Sequence, residues 1–262
     1  QVAVERDFLN FLREQTVHGR FFQTVDGFDT AECAADLAFS MGGDGTFLTV
    51  AEKVRDRRIP ILGINTGHLG FLAEVTTSGL ETAIARVVRG EYEVQERSLI
   101  AIEDEDKELT LYPFALNEVA LLKYDNSSLI EVETRVEGAL LANYLADGLI
   151  ICTPTGSTAY SLSVGGPVLE PQSATICLSP IAPHSLTVRP VVLRDDVTVE
   201  VHVRSRSGRF LLSVDGRSET LSADRVLRIH KAHYTLPVVS IPPHHFFSTL
   251  REKMMWGKDR RH

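Results

Sequence analysis

The sequence predicts an α/β domain with a parallel sheet, followed by an all-β domain built as a two-sheet sandwich. Up to residue 97, short apolar runs alternate with stretches of helical spacing, the mark of successive strand–helix units around a parallel sheet. Beyond residue 98, short runs with apolar residues at every second position are separated by turn signals, as in sheets with one face in a core. Helical spacing returns only in the closing stretch 245–256, HFFSTLREKMMW. The expected domains are therefore 1–97 and 98–244. A C-terminal helix within 245–262 is expected to dock back on the first domain and make it discontinuous.

Residues 5–15 put Phe8, Leu9, Phe11 and Leu12 at helical spacing. The run 36–41, DLAFSM, is short and apolar enough for a buried parallel strand. Helical spacing resumes over 46–57, and 59–65, IPILGIN, is a second buried strand leading into the loop NTGHLG. An amphipathic helix over 79–90 ends on a glycine, as helix C-termini often do. In the second domain, 128–136 and 140–146 flank the turn Glu137-Gly138. Stretch 197–203, VTVEVHV, carries valine at alternate positions, and RFLLSVDG and RVLRIHKA continue in that style.

Bulk properties restrict the function. A chain of 262 residues, 44% hydrophobic and 24% charged, can bury one large core or two moderate ones. A net charge of −8 argues against nucleic-acid or anionic-membrane partners. Cys33, Cys152 and Cys177 are odd in number and widely spaced, which suggests core residues in a reducing compartment, with neither a disulfide frame nor a zinc site. No apolar run reaches the roughly 18 residues of a membrane span and no signal peptide heads the chain, so the expected location is cytoplasmic. The nine histidines show no metal-ligand spacing.

Two stretches are chemically unusual. The first, SMGGDGTFLTV (40–50), places Gly42, Gly43, Asp44, Gly45 and Thr46 at the C-terminal end of a strand, where open α/β sheets bind ligands. Glycines admit positive φ and let a ligand approach the backbone. The following helix offers free N–H groups that suit phosphate. A carboxylate repels phosphate, so Asp44 makes sense there as a group handling a proton or a metal ion. The plainer alternative is a glycine-rich turn with Asp44 as helix cap. The second stretch, GLIICTPTGSTAYSLSVGGP (148–167), runs from an apolar strand into a hydroxyl-rich loop and a short helix. Its hydroxyls and Tyr160 suit hydrogen bonding to, and stacking on, a nucleobase, although a turn capped by Thr155 or Ser157 is equally compatible. Asn117-Glu118 interrupts the apolar run 113–122, and buried polar groups need partners: a sugar diol or an ordinary edge pair would serve. Taken alone, Asp147 reads as a turn residue and Phe71 as a core aromatic.

In combination these motifs resemble the NAD kinase family. GGDGT, NTGHLGFL, LNEV, TPTGSTAYSLS with GGP, and PIAPHSL with Arg189-Pro190 occur in that family's order across roughly residues 36–245. GGDGT alone is also similar to lipid kinases and 6-phosphofructokinases, which lack the TPTGSTAY stretch. The resemblance implies transfer of the terminal phosphoryl of ATP to the 2′-hydroxyl of the adenosine ribose of NAD. It implies Asp44 as general base and Gly42, Gly43, Gly45 and Thr46 around the phosphates, with Gly45 also near NAD. Asn117 and Glu118 would hold ribose hydroxyls, Thr158, Ala159 and Tyr160 the adenine end, and Phe71 a base. Thr155, Ser163 and Asp147 would complete the dinucleotide site, with Asp147 at the nicotinamide carboxamide. A divalent cation, Mg²⁺, would arrive with ATP rather than in a dedicated protein site, and the family's shared sites imply a homodimer or homotetramer. In the family a strand and small-residue loop come before the first helix; here the chain is expected to begin almost in that helix.

Overall fold

The computed structural model describes residues 2–15, 22–29, 34–67, 70–125, 128–243 and 245–257. Helix α1 (Arg6–Glu14) starts on Glu5, whose carboxylate accepts the Phe8 N–H at 3.0 Å. A short strand, Ala3–Glu5, precedes it and pairs in parallel with Asp26–Phe28. The helix starts as early as expected, and the strand before it was not foreseen because three residues are too few to show a period.

The parallel unit forms around the first glycine loop. Strand Ala38–Gly42 pairs in parallel with Ile61–Asn65, and helix α2 (Asp44–Val54) crosses between them. It buries Phe47, Ala51 and Val54, an i, i+4, i+7 stripe, against Ile59, Ile61 and Leu72. Helix α3 (Leu80–Val88) follows.

The second half is a sandwich. Residues of Ile130–Val136 and Val199–Ser205 on one sheet meet residues of Glu118–Lys123, Gly148–Cys152 and Arg209–Val214 on the other, in one core that includes Val132, Val201, Leu121, Leu149 and Phe210. Glu137 and Gly138 turn between strands at φ 50 and 78, the left-handed pair that a two-residue hairpin requires.

The two halves share a sheet. Strand Arg225–Ser240 pairs antiparallel with Val199–Ser205 through residues 225–229 and parallel with Ile61 through Val238. Its burial alternates at first and is then continuous from Leu236 to Ser240. The change comes where the strand leaves Val199–Ser205 and runs between Glu93–Asp104, still antiparallel, and the parallel strand Ile61–Asn65. Strand Glu93–Asp104 pairs with it and runs unbroken past residue 97. Helix α4 (Tyr160–Ser163) is a single turn in the hydroxyl-rich loop, and α5 (Phe246–Met254) closes the described chain. Cys152 and Cys177 are buried, free and paired across neighbouring strands; Cys33 and His244 lie outside the described residues. No helix among the described residues is long and apolar enough to cross a membrane.

Candidate active site

Asp44 is the first residue of α2, but it does not cap the helix. The cap position belongs to Gly43, which is extended and has no side chain to offer. The Asp44 carboxylate turns instead to the second glycine loop. Its Oδ2 accepts the Phe71 N–H at 2.9 Å, and Oδ1 accepts those of Leu72 and Ala73 at 3.0 and 3.2 Å. Gly70 makes this approach possible, since a Cβ there would lie 2.0 Å from Oδ1. A carboxylate has about four acceptor sites, and the fourth, on Oδ2, has no N–H donor among the described residues. Near it stands the Lys253 ammonium of α5, 3.6 Å from Oδ2 and 4.5 Å from the Phe71 ring centroid.

The glycines of the first loop are used differently from the sequence expectation. Positive φ occurs at Gly42 and not at Gly43 or Gly45. A Cβ on Gly42 would meet the Thr46 side chain, whereas one on Gly43 or Gly45 would meet nothing within 4 Å. Open space therefore lies beside the first turn of α2, whose leading N–H groups have no acceptor within the helix.

Asn117 and Glu118 are held by a residue that sequence reasoning missed. The Asp215 carboxylate accepts the N–H groups of Leu116, Asn117 and Glu118 at 2.7, 2.8 and 3.0 Å. Asp215 sits in a hairpin turn with Gly216, at φ 48 and 82. Asp-Gly is a strong turn signal, and that signal hid the second role. Burial, and then the neighbouring charge of Asp215, push the Glu118 carboxyl up to about 8, against a smaller opposing effect of the Tyr160 N–H. Burial likewise raises Asp215 itself. Glu118 Oε2 is buried without a hydrogen-bond partner among the described residues.

The hydroxyl-rich loop closes over this pair. The Thr153 hydroxyl donates to the Leu116 carbonyl and accepts the Gly156 N–H at 3.1 Å, and the Thr153 N–H reaches the Asn117 carbonyl at 2.9 Å. Gly156 lies so close that a Cβ would stand 2.1 Å from that carbonyl oxygen. Ser157 is structural: it is buried, donates to Pro154 O and accepts the Leu169 N–H. Thr155 is buried, and its hydroxyl has no hydrogen-bond partner among the described residues. Thr158 and Ala159 are half-buried, and Tyr160 and Ser163 are exposed.

Hydrophobic packing joins the pieces. Phe47 of α2, Leu72 beside Phe71 and Leu116 beside Asn117 belong to one buried cluster, so the glycine loops and the Asn117-Glu118 pair converge. Phe71 is only half-buried, its ring 6.2 Å from that of Phe246 in α5. Asp147 is not brought in: its carboxylate pairs with Lys123 at 2.7 Å. It precedes Gly148, whereas Cys152, at the far end of that strand, pairs with Glu118. At ~3.3 Å per residue the separation is about 16 Å. Among the described residues, no three or more His, Cys, Asp or Glu are gathered as a metal site.

A glycine loop that sets a carboxylate at the start of a helix, held there by the backbone of a second glycine loop, suits a phosphotransferase acting on a nucleotide. The comparisons agree. Residues 5–92 match the ATP-NAD kinase N-terminal domain and 116–241 the ATP-NAD kinase C-terminal domain. The chain is 50% identical over 261 residues to a Bacteroides fragilis NAD kinase, spanning all of this chain and 89% of that one. It is 40% identical over 266 residues to the Flavobacterium johnsoniae NAD kinase, with 100% and 90% coverage. An Archaeoglobus fulgidus NAD kinase crystallised with ATP superposes with a TM-score of 0.75 at 28% identity, over 92% of this chain and 96% of that one. Yeast NADH kinase complexed with NADH shares the fold, with a TM-score of 0.84 at 23% identity over 97% and 84%. The chain belongs to the NAD kinase family, and its reaction is phosphorylation of NAD by ATP to give NADP.

Proposed function

We propose that Asp44 is the general base of this reaction, taking the proton of the ribose 2′-hydroxyl as its oxygen attacks the terminal phosphorus of ATP. The observation that carries the reading is the Asp44 carboxylate held by the N–H groups of Phe71, Leu72 and Ala73, with Leu72 and Leu116, the neighbour of Asn117, in one buried cluster. Donor phosphates lie along the first turn of α2, at Gly42, Gly43, Gly45 and Thr46, where open space meets helix N–H groups. Gly45 also borders NAD. Asn117 and Glu118 bind the ribose hydroxyls, which supply the donors that Glu118 Oε2 lacks. Thr158, Ala159 and Tyr160 contact the adenine end, Phe71 packs on a base, and Thr155 and Ser163 complete the site.

Asp147 serves the nicotinamide carboxamide of NAD bound in another copy of the chain, because about 16 Å separates it from Glu118 in its own. The edge strand Ala139–Ala146 exposes Leu140 and Leu145, a surface suited to a homodimer or homotetramer contact. Mg²⁺ enters as part of the ATP substrate and is held by the donor phosphates. The ion neutralises charge on the donor when bound. A cytoplasmic location fits NAD and ATP as the partners.

Steady-state kinetics tests the assignment. Tyr160→Ala and Asp147→Ala remove contacts to the two ends of NAD and none to the transferred phosphoryl itself, so KM for NAD rises about tenfold or more while kcat changes little. Wild-type KM in both variants would remove the hydroxyl-rich loop from the site.

The buried carboxyl gives a pH test. Ribose hydroxyls donating to Glu118 favour its ionised form, so NAD binding expels the proton that the free enzyme holds below about 8. NAD affinity therefore rises with pH up to about 8 and is level above it. Calorimetry of Glu118→Gln should show weaker binding without that slope; an unchanged slope would assign the titration to another group.

A further inference from the structure

Neither glycine loop carries a permanent cation of its own: residues 36–52 and 61–75 contain no lysine or arginine, and their one histidine is His68. Phosphoryl transfer spreads negative charge over the oxygens of the moving group, and enzymes meet it with a fixed cation. The cation beside Asp44 comes from the other end of the chain. Lys253, in the last turn of α5, lies outside both matched family segments. Its ammonium is 3.6 Å from Asp44 Oδ2, too far for a hydrogen bond, and it makes no hydrogen bond to a described residue. All three of its donors are thus available.

The ammonium also faces an aromatic ring. It stands 4.5 Å from the Phe71 ring centroid, and the same residue's N–H binds Asp44 Oδ2. Phe246, at the start of α5, packs on that ring from the same helix. A lysine in a final helical turn is ordinarily a dipole partner, and a half-exposed ion pair contributes little to stability. Neither role requires an ammonium beside the Asp44 carboxylate.

We propose that Lys253 is a second catalytic residue, an ammonium that the C-terminal helix supplies to the transferring phosphoryl. In the free enzyme it neutralises Asp44. When the donor binds, it shifts to the oxygens of the terminal phosphoryl and leaves Oδ2 open to the ribose hydroxyl. The hydroxyl oxygen then bonds to phosphorus as the bond to the leaving diphosphate breaks. The hydroxyl proton goes to Asp44, and Lys253 keeps its own protons. This step rests on the reading of Asp44 as base.

The test is steady-state kinetics on Lys253→Met, Lys253→Arg and Lys253→Ala, with Asp44→Asn in parallel. Lys253→Met keeps the aliphatic stem over Phe71. Its kcat should fall on the order of 10²-fold, the usual loss with one transition-state donor, with KM for NAD within about threefold. Lys253→Arg should recover much of the loss, and added ethylammonium should raise the rate of Lys253→Ala saturably with an unchanged melting temperature. A Lys253→Met enzyme within about twofold of wild-type kcat overturns the proposal. So does a slow, thermally destabilised Lys253→Ala that ethylammonium leaves untouched, because the lysine is then only a strut for α5. Near-normal turnover of Asp44→Asn removes the underlying reading instead, whatever Lys253 does.

Discussion

Asp44→Asn should lower kcat by about 10²–10⁴-fold, the range general-base catalysis contributes, while KM for NAD stays near wild type. A ribose hydroxyl is a weak nucleophile at neutral pH and needs an acceptor for its proton as the phosphorus is attacked. The amide matches the carboxylate in shape but cannot take that proton. Its oxygen can still accept N–H groups of the 71–73 loop, while its NH₂ must turn away from the others. Some stability is therefore lost, on the order of 1–2 kcal/mol for a donor left without its acceptor. Thermal melts and NAD titration separate this cost from the chemistry. A folded Asp44→Asn enzyme that binds NAD and turns over at a near-normal rate would reduce Asp44 to a clasp between two loops.

That clasp was not legible in the sequence, and the reason is physical. The partners of Asp44 are backbone N–H groups at positions 71–73, which carry no side-chain signal. The short buried strands and amphipathic helices were legible because burial imposes a period on side chains. Strand Arg225–Ser240 was legible only as far as Ala232. Beyond it the pairing register shifts between Lys231 and Thr235, and Leu236-Pro237-Val238-Val239 is buried without alternation. The shared sheet follows from that unread half. Lys253 looked like any charge in a final helical turn. Only the fold, carrying α5 across from the far end of the chain, sets it beside Asp44.

The Asp215 turn illustrates the same limit, and its loss should be the most damaging to the fold. Asp215→Ala leaves the N–H groups of Leu116, Asn117 and Glu118 without their acceptor. Buried groups left unsatisfied cost about 1–3 kcal/mol each, and alanine tolerates the left-handed φ of 48 less well than aspartate. Even if water reaches one of the three, a loss of roughly 4 kcal/mol is expected, which lowers the melting temperature by about 10 °C in a chain of this size. Asp215→Asn keeps one accepting oxygen and the turn, so it should lose about half as much. It also removes the charge that helps to raise Glu118, leaving burial alone to do so. The pH at which NAD affinity levels off should therefore move down from about 8 in Asp215→Asn, at a temperature where the variant is folded. If Asp215→Ala melted within a degree or two of wild type, the three N–H groups would have found other acceptors. If the Asp215→Asn binding profile also stayed in place, Asp215 would have no hold on the Asn117-Glu118 pair.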